Sequence, residues 1–403
     1  MIDTIEFDSY KKKNDIYGTA MYPAVMVGPV QKLLLQEVLK GKHSARIMDP
    51  FHGSGTALYE AFEINPKYEL YGIDINPLAN LITKAKLQGV DANIINDIEI
   101  IKMHIFNKET SYSIVSFTNI NKWFRKDVIE DLSKIKYSIE QISSQKNRVF
   151  FWVMMSNIIR KYSNTRSSTY KLHIKKQEQI LAIKNNVLSD FINLIEKNYV
   201  FYLKASKNYH LIKGDTLKEL KLFKDNYFDI LITSPPYGDN ATTVTYGQFS
   251  ILILYWINQF DLELDGWEFD NFSKIDRESL GGYGKDNKQE KYNHYIVELM
   301  NSIKAEDKKR KVEVFFDDYF SFLDIAYKVT KSFIIMTLGN RTVNGVNIEL
   351  VDYTKQYLCD LNMELVYEGK RNIYSKRTPK VISLKNGEPI YSMNEEYVII
   401  LKK

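Results

Sequence analysis

A strand, a glycine-rich turn and a helix follow one another near the N-terminus, and a second strand comes directly after them. In the stretch ARIMDPFHGSGTALYEAFE the apolar run ends at Asp49, and a helical pattern begins near Thr56. The next strand, YELYGIDINPLA, has Asp74 at its end. Strands that alternate with helices are typical of a parallel sheet covered by helices. This unit therefore predicts an α/β fold.

The same alternation returns in the second half of the chain. Strand patterns there are YHLIKGD, YFDILITSPPY, SFIIMTL, MELVYEGKRNI and YVIILKK, and helical patterns between them are GQFSILILYWI, FFDDYFSFLDIAYKVTK and IELVDYTKQYLCDLN. They predict a mostly parallel, doubly wound sheet. In such a sheet a ligand binds at the carboxyl ends of the strands, so the residues at these ends are the candidates for a site.

Two segments interrupt the alternation. Residues 87–204 carry apolar side chains at spacings of three and four, which predicts a large helical insertion. Residues 263–310 begin with a polar run rich in Gly and Asp, which predicts a second, loop-rich insertion. The remainder, residues 1–86 and 205–403, is expected to form one α/β domain.

Composition limits the classes of function. A hydrophobic fraction of 44% with 13% aromatic residues argues for a folded chain and against disorder. The single cysteine, Cys359, excludes a disulfide framework and a cysteine-rich zinc site, and we expect no metal. A polar N-terminus and the lack of a long apolar run predict a cytoplasmic protein without a membrane partner. The net charge of +5 permits a nucleic-acid partner.

Three strand ends carry residues that suit a nucleoside. Gly53 and Gly55 let the backbone turn tightly and approach a ligand. Asp74 follows about twenty residues later, where a carboxylate accepts hydrogen bonds from both ribose hydroxyls. The combination predicts a nucleoside-bearing cofactor. Asp215, in KGDT, has two readings that the sequence leaves open, a cofactor contact and an N-cap for the helix that follows.

The motif DPFHGSGT, followed downstream by TSPPY, resembles the S-adenosylmethionine-dependent DNA methyltransferases of restriction-modification systems. These enzymes modify exocyclic amino groups, the N4 of cytosine or the N6 of adenine. The resemblance covers roughly residues 17–86, 205–262 and 311–403. It implies a Rossmann-like methyltransferase sheet, S-adenosylmethionine as cofactor and double-stranded DNA as substrate. A cognate restriction or defence-system subunit is a further partner that the resemblance suggests.

The resemblance also implies a set of cofactor-binding residues. The glycine-rich motif lines the methionine portion, Asp74 holds the ribose and Asp215 reaches the adenine, and the segment MYPAVM closes over the methionine end. The full set is Tyr22, Pro23, Asp49, Pro50, Phe51, Gly53, Ser54, Gly55, Thr56, Asp74, Ile75, Asn76 and Asp215.

The corner SPPY is implied to be catalytic. An exocyclic amino nitrogen is a poor nucleophile because its lone pair is delocalised into the ring, and hydrogen-bond acceptors around it redirect that lone pair. Ser234 offers a hydroxyl oxygen and Pro235 a carbonyl, while Pro235 and Pro236 fix the backbone and remove competing N–H donors. Tyr237 is expected to stack on a base that has left the duplex. Positioning and electrostatics then supply most of the acceleration.

Ser234 also bears on the substrate. In the family SPPY is commoner among N4-cytosine enzymes, and DPPY or NPPY among N6-adenine enzymes, so Ser234 favours cytosine with adenine as the alternative. RNA and protein glutamine are less favoured substrates, because the Pro-Pro-Tyr corner of such enzymes usually begins with Asn. A non-catalytic nucleic-acid-binding subunit is disfavoured because both motifs are intact.

DNA recognition is expected in the insertions. The stretch RKYSNTRSSTYKLHIKK, residues 160–176, contains six cations and no acidic residue, and interleaves them with tyrosines; the alternative is a solvated loop. In the second insertion, SLGGYGK is a candidate for closing over DNA, and the alternative is an inert surface loop. The candidate DNA-binding residues are Arg160, Lys161, Arg166, Lys171, Lys175 and Lys176, with Arg371, Lys376 and Arg377 near the last strand pair.

Overall fold

The structure is a computed structural model and describes residues 5–7, 10–238, 243–263, 273–282, 292–372, 381–385, 388–391 and 395–403. The strands are β1 (Arg46–Asp49), β2 (Glu69–Asp74), β3 (Tyr209–Lys213), β4 (Phe228–Thr233), β5 (Thr330–Leu338), β6 (Arg341–Val343), β7 (Val346–Ile348), β8 (Glu364–Asn372), β9 (Val381–Lys385), β10 (Glu388–Tyr391) and β11 (Glu395–Lys402). The helices are α1 (Gly28–Val38), α2 (Thr56–Ile64), α3 (Pro77–Gln88), α4 (Ile94–Phe106), α5 (Ile120–Trp123), α6 (Lys126–Glu140), α7 (Gln145–Tyr162), α8 (Gln177–Leu181), α9 (Val187–Asn198), α10 (Thr216–Glu219), α11 (Tyr246–Leu254), α12 (Gln259–Leu262), α13 (Ser273–Glu278), α14 (Asn293–Ser302), α15 (Glu306–Val329) and α16 (Leu350–Asp360).

Seven strands form one central sheet in the order β3-β2-β1-β4-β5-β11-β8. The first five run parallel to one another, and β11 lies antiparallel between β5 and β8. The chain order reverses between β1 and β4, which is where an α/β sheet opens a crevice for a ligand. The predicted α/β, doubly wound Rossmann-like sheet is confirmed.

The central strands are buried on both faces, and their apolar runs explain why. Successive residues of a strand point to opposite faces, so Ile47 and Ile230 join one apolar cluster while Met48 and Leu231 join the other. All four side chains are fully buried. The first cluster is completed by α2, α3 and α7, and the second by α15 and α16. Helices on both faces hold the strand ends in fixed positions.

Residues 87–204 contain the helices α4 to α9, as their apolar spacing predicts. The central one is α7, in which Trp152 is fully buried. Arg148 and Trp152 both bind the carboxylate of Asp261, with Arg148 Nη2 and Trp152 Nε1 at 2.9 and 2.7 Å from its oxygens. These bonds attach the helical region to the segment that follows α11.

The second insertion contains more helix than its polar composition predicts. Its described parts include α13, α14 and the first turn of α15. In α14 the apolar residues Ile296 and Leu299, three positions apart, are buried against the second cluster. Among the described residues, no helix combines the length and the apolar character that crossing a bilayer requires.

Candidate active site

A cleft lies at the carboxyl ends of the central strands. It receives residues from the turns after β1, β2, β3 and β4. Of the predicted cofactor-binding residues, those that line it are Tyr22, Pro23, Phe51, Gly53, Ser54, Thr56, Asp74, Ile75, Asn76 and Asp215. Asp49, Pro50 and Gly55 are not among the lining residues. From the SPPY corner, Ser234 and Pro236 line the same cleft, so the two motifs meet there.

The glycine-rich turn needs glycine at its last position before α2. Gly55 has φ +75°, a left-handed conformation that residues with a Cβ rarely adopt. A Cβ at this position would also lie 2.5 Å from the Thr83 methyl group of α3. Gly55 therefore permits both the turn and the close packing of α2 on α3.

Asp74 is held in place by the backbone of the turns around it. Its Oδ2 accepts a hydrogen bond from the Gly53 N–H at 2.9 Å, and its Oδ1 accepts one from the Asn76 N–H at 2.8 Å. Burial raises the pKa of Asp74, and these bonds oppose the rise. The carboxylate is fixed at the wall of the cleft, and each oxygen retains a second lone pair for a ligand.

Asp49 connects the two motifs. Its side chain is fully buried, and its Oδ1 accepts hydrogen bonds from Thr233 Oγ1 at 2.7 Å and from the Phe51 N–H at 3.2 Å. Burial raises the pKa of Asp49 to about 7. Because Thr233 immediately precedes Ser234, this bond fixes the SPPY corner relative to the glycine-rich turn. The predicted contact of Asp49 with a cofactor stays a prediction.

The two interpretations of Asp215, a cofactor contact and a helix N-cap, are compatible. Its carboxylate accepts a hydrogen bond from the Leu217 N–H at 2.9 Å and so caps α10, and the residue also lines the cleft. Asn76 is similar, since its Oδ1 caps α3 by accepting from the Leu78 N–H at 3.0 Å. Both residues therefore combine a capping bond with a place at the cleft.

Two helices that carry no recognised motif, α11 and α3, contribute to the site. Tyr246, at the start of α11, lines the cleft, and its ring lies 5.7 Å from that of Tyr22. Ser250 of the same helix accepts a hydrogen bond from the Asn76 amide at 2.8 Å. In α3, the buried Lys86 donates to the Ser54 carbonyl at 2.7 Å, and burial lowers the pKa of Lys86 to about 7. The periodic apolar pattern conceals these contacts.

The second insertion also reaches the cleft through α13. Asp276 accepts a hydrogen bond from the Gly247 N–H at 2.9 Å and so binds the first turn of α11; burial raises its pKa to about 6. Ile275, Glu278 and Leu280 line the cleft. Of the predicted closing segment SLGGYGK, residues 283–285 lie outside the described residues.

At the corner itself, Ser234 Oγ lies 3.1 Å from the Tyr237 hydroxyl. The Tyr237 hydroxyl in turn donates to Glu396 Oε1 of β11 at 3.4 Å. Burial and the charge of Glu396 raise the pKa of Tyr237 well above its usual value, so its hydroxyl stays protonated. Neither Pro235 nor Tyr237 is among the residues that line the cleft, and the predicted stacking of Tyr237 on a base stays a prediction.

The six cations of the basic segment fall into two groups. Three are engaged within the protein: Arg160 is buried over the Phe249 ring, Lys161 pairs with Asp190, and Lys175 donates to the Ser163 carbonyl at 2.7 Å. The other three, Arg166, Lys171 and Lys176, are exposed. Lys161 is exposed as well, and its ion pair with Asp190 distinguishes it from these three. Two of these, Arg166 and Lys176, line a second, open cleft together with Lys175.

The basic segment adjoins the active-site helix α11. The Leu172 N–H donates to Gln248 Oε1 at 3.1 Å, and the Tyr170 ring lies 5.8 Å from that of Phe249. Of the cations predicted near the last strand pair, Arg371 is paired with Glu396, and Lys376 and Arg377 lie outside the described residues.

Comparison with known proteins identifies the family. The chain is 32% identical over 419 residues to the type II methyltransferase M.MvaI of Kocuria varians, covering 95% of this chain and 90% of that protein. It is 22% identical over 257 residues to the type II methyltransferases M.AvaI of Nostoc sp. and of Anabaena variabilis, covering 58% of this chain and 52% of theirs. No family model matches the chain. At the identity and coverage shared with M.MvaI, the chain belongs to the type II methyltransferases, the S-adenosylmethionine-dependent DNA methyltransferases of restriction-modification systems.

Proposed function

We propose that the protein transfers a methyl group from S-adenosylmethionine to the exocyclic N4 of a cytosine flipped out of double-stranded DNA. The observation that carries this proposal is the meeting of Ser234 and the glycine-rich turn in one cleft. A base at the corner and a nucleoside cofactor at the turn would then face each other. A cognate restriction or defence-system partner remains a prediction from the resemblance.

The residues at the cleft fit the proposed cofactor. The carboxylate of Asp74 is held by two backbone N–H groups and suits the two ribose hydroxyls. Asp215 lines the same cleft and is proposed to reach the adenine, while Tyr22 and Tyr246 supply aromatic surface. When bound, S-adenosylmethionine supplies an electrophilic methyl group on a positively charged sulfur. The protein therefore needs only to bind it, orient it and exclude water.

Ser234 supports an exocyclic amino group as the target, and the more frequent occurrence of SPPY among N4-cytosine enzymes of the family favours cytosine. The Ser234 hydroxyl lines the cleft and offers lone pairs to one N–H of the amino group. The carbonyl of the next residue, Pro235, which is not among the lining residues, is proposed to accept from the other N–H when a base is bound. Two acceptors in fixed positions hold the amino group so that its lone pair faces the methyl group. This is electrostatic preorganisation of the kind that contributes most to many enzymatic rates.

The test of this proposal is mass spectrometry of nucleosides after incubating mixed-sequence double-stranded DNA with the protein and isotope-labelled S-adenosylmethionine. We expect labelled N4-methylcytosine, and far less of it at the same incubation time with the Ser234→Ala variant. Labelled N6-methyladenine would retain the reaction and overturn the choice of base. Label only in RNA or in protein glutamine, offered in parallel reactions, would overturn DNA as the substrate.

We also propose that the exposed cations of the basic segment bind DNA phosphates. Arg166, Lys171 and Lys176 are exposed on a segment whose backbone is bonded to α11, the helix that begins at the active site. Phosphate contacts fix the register of a protein on the duplex and make its affinity depend on salt. A place beside α11 would bring the duplex close to the cleft.

Replacing Arg166, Lys171 and Lys176 together by Gln is expected to weaken DNA binding and to lower the salt dependence of its affinity. Each lost phosphate contact reduces the slope of log affinity against log salt by about 0.9. Fluorescence anisotropy with a labelled duplex at several salt concentrations measures both quantities. Lys161→Gln is the matched control, because Lys161 lies in the same segment but is paired with Asp190. The assignment would be contradicted if Lys161→Gln lowered the slope by as much as one third of the change in the triple variant. An unchanged slope in the triple variant would also contradict it.

A further inference from the structure

A chain of four polar side chains leads from the SPPY corner into the antiparallel edge of the sheet. Ser234 Oγ lies 3.1 Å from the Tyr237 hydroxyl, which lies 3.4 Å from Glu396 Oε1. Arg371 of β8 donates from Nε to Glu396 Oε2 at 2.7 Å. Glu396 and Arg371 are directly opposite each other in the β11–β8 pairing. The chain thus connects residues far apart in sequence to the corner that faces the cleft.

The chemistry of these groups fixes the direction of the hydrogen bonds. An ionised carboxylate only accepts, so the Tyr237 hydroxyl has to donate to Glu396. The oxygen of Tyr237 is then free to accept, and Ser234 satisfies it by donating its own O–H. In this arrangement no described residue donates to Ser234 Oγ, and its lone pairs remain available to an amino group in the cleft. The carboxylate therefore makes Ser234 an acceptor.

Arg371 supports this arrangement by holding Glu396. Its Nε and Nη2 both approach Glu396 Oε2, at 2.7 and 2.5 Å, which leaves Oε1 for Tyr237. The side chains of Arg371 and Glu396 are only 15% and 14% exposed. A guanidinium carries N–H donors and no acceptor, so it holds the Glu396 carboxylate as a hydrogen-bond acceptor.

We infer that Glu396 is a positioning residue for methyl transfer, which acts through Tyr237 to orient the hydroxyl of Ser234 as an acceptor. The inference rests on the proposed function, since it assigns to Ser234 the task of accepting from the target amino group. It applies equally to an amino group of cytosine or adenine. It assigns Arg371 to this chain of hydrogen bonds and removes it from the candidates for phosphate binding.

Glu396→Gln tests the inference because it reverses the chain. With Arg371 donating to the amide oxygen, the amide NH₂ faces Tyr237 and donates to it. Tyr237 then donates to Ser234 and occupies one of the two lone pairs of its Oγ, while the Ser234 O–H loses its acceptor and competes with the amino group at the cleft. We expect the single-turnover rate of methyl transfer to fall about tenfold to a hundredfold, less than for outright loss of a preorganised hydrogen bond to the reacting group, because the Ser234 oxygen is misoriented but still present. The affinities for S-adenosylhomocysteine and for DNA should remain within about twofold, since neither binds Glu396.

The matched control is Glu395→Gln. Glu395 is the neighbouring residue on β11, and its carboxylate pairs across to Lys370 of β8 at 2.6 Å. Its loss removes an ion pair between the same two strands without touching Tyr237, so the transfer rate should not change. Thermal unfolding of both variants shows whether either substitution disturbs the sheet.

A double-mutant cycle completes the test and does not depend on the stability of Glu396→Gln alone. Tyr237→Phe breaks the chain and leaves the ion pair of Arg371 with Glu396 intact, so we expect a lowered transfer rate with normal DNA and cofactor affinity. Adding Glu396→Gln to Tyr237→Phe should cause no further loss. The inference would be overturned by an additive loss in the double variant, or by a transfer rate of Glu396→Gln equal to that of Glu395→Gln. In either case, transfer by the wild-type protein would still support the proposed function. Absence of transfer by the wild-type protein to any DNA would overturn both.

Discussion

Ser234→Ala is expected to lower the single-turnover rate of methyl transfer by about a hundredfold to a thousandfold, the usual effect of removing one preorganised hydrogen bond to a reacting group. The substitution removes the acceptor proposed to orient the amino nitrogen. Ser234 contacts Tyr237 and lines the cleft, but no bond of its side chain to the glycine-rich turn is found among the described residues. Cofactor affinity should therefore stay within about twofold, and saturating cofactor should not restore the rate.

Rapid-quench measurements with labelled S-adenosylmethionine and excess enzyme give this rate, and calorimetry gives the cofactor affinity. Ser279→Ala is a suitable control, because Ser279 lines the same cleft while its hydroxyl donates to the Asp276 carbonyl at 2.9 Å. The control tests whether loss of any hydroxyl at the cleft is sufficient to impair the reaction. Near-normal transfer by Ser234→Ala would remove Ser234 from the catalytic corner and leave the cofactor site unaffected.

Much of the fold and part of the site follow from local sequence. The strand that ends at Asp49, the glycine-rich turn and the strand that ends at Asp74 lie within a short stretch of sequence. Their spacing predicts that Gly53 and Asp74 lie close together, and in the structure the Gly53 N–H donates to Asp74 Oδ2 at 2.9 Å. The apolar runs of β4 and β5 likewise predict buried parallel strands, because a strand covered on both faces needs apolar side chains on both. Residues at strand ends are therefore the part of a site that a sequence reveals.

The residues that support the cleft from behind depend on contacts between distant segments. Glu396 lies 159 positions from Tyr237, and Asp276 lies 29 positions from Gly247. Nothing in their own sequence neighbourhood distinguishes them from exposed acids on a strand and on a short helix. Their roles arise only when β11 pairs with β8 and when α13 packs beside α11.

The same limit applies to the cations. A run without acidic residues predicts a surface that binds phosphate, but it does not separate cations that face solvent from those that bind the protein itself. The structure makes this separation: Arg160 is 8% exposed over the Phe249 ring and Arg371 is paired with Glu396, whereas Arg166 is exposed. Partners from α11 and β11 decide the outcome, and both are remote in sequence.

The complementary prediction to Ser234→Ala is that Asp74→Ala weakens cofactor binding by about a hundredfold or more. Hydrogen bonds to a charged group each contribute about 1.5–3 kcal/mol, and the variant loses two proposed bonds to the ribose hydroxyls. It also leaves the N–H groups of Gly53 and Asn76 without the acceptor that orders the turn.

Calorimetric titration with S-adenosylhomocysteine measures this loss, and transfer at rising S-adenosylmethionine separates it from a catalytic defect. The rate of Asp74→Ala should recover substantially at high cofactor concentration, in contrast to that of Ser234→Ala, because Asp74 is proposed to bind the cofactor and not the base. Asp74→Asn is the matched control: it keeps one carbonyl oxygen for either Gly53 or Asn76 and should show an intermediate loss. An affinity of Asp74→Ala equal to that of the wild type would mean that the carboxylate only orders the turn. A rate that stays low at saturating cofactor would place Asp74 in the catalytic step.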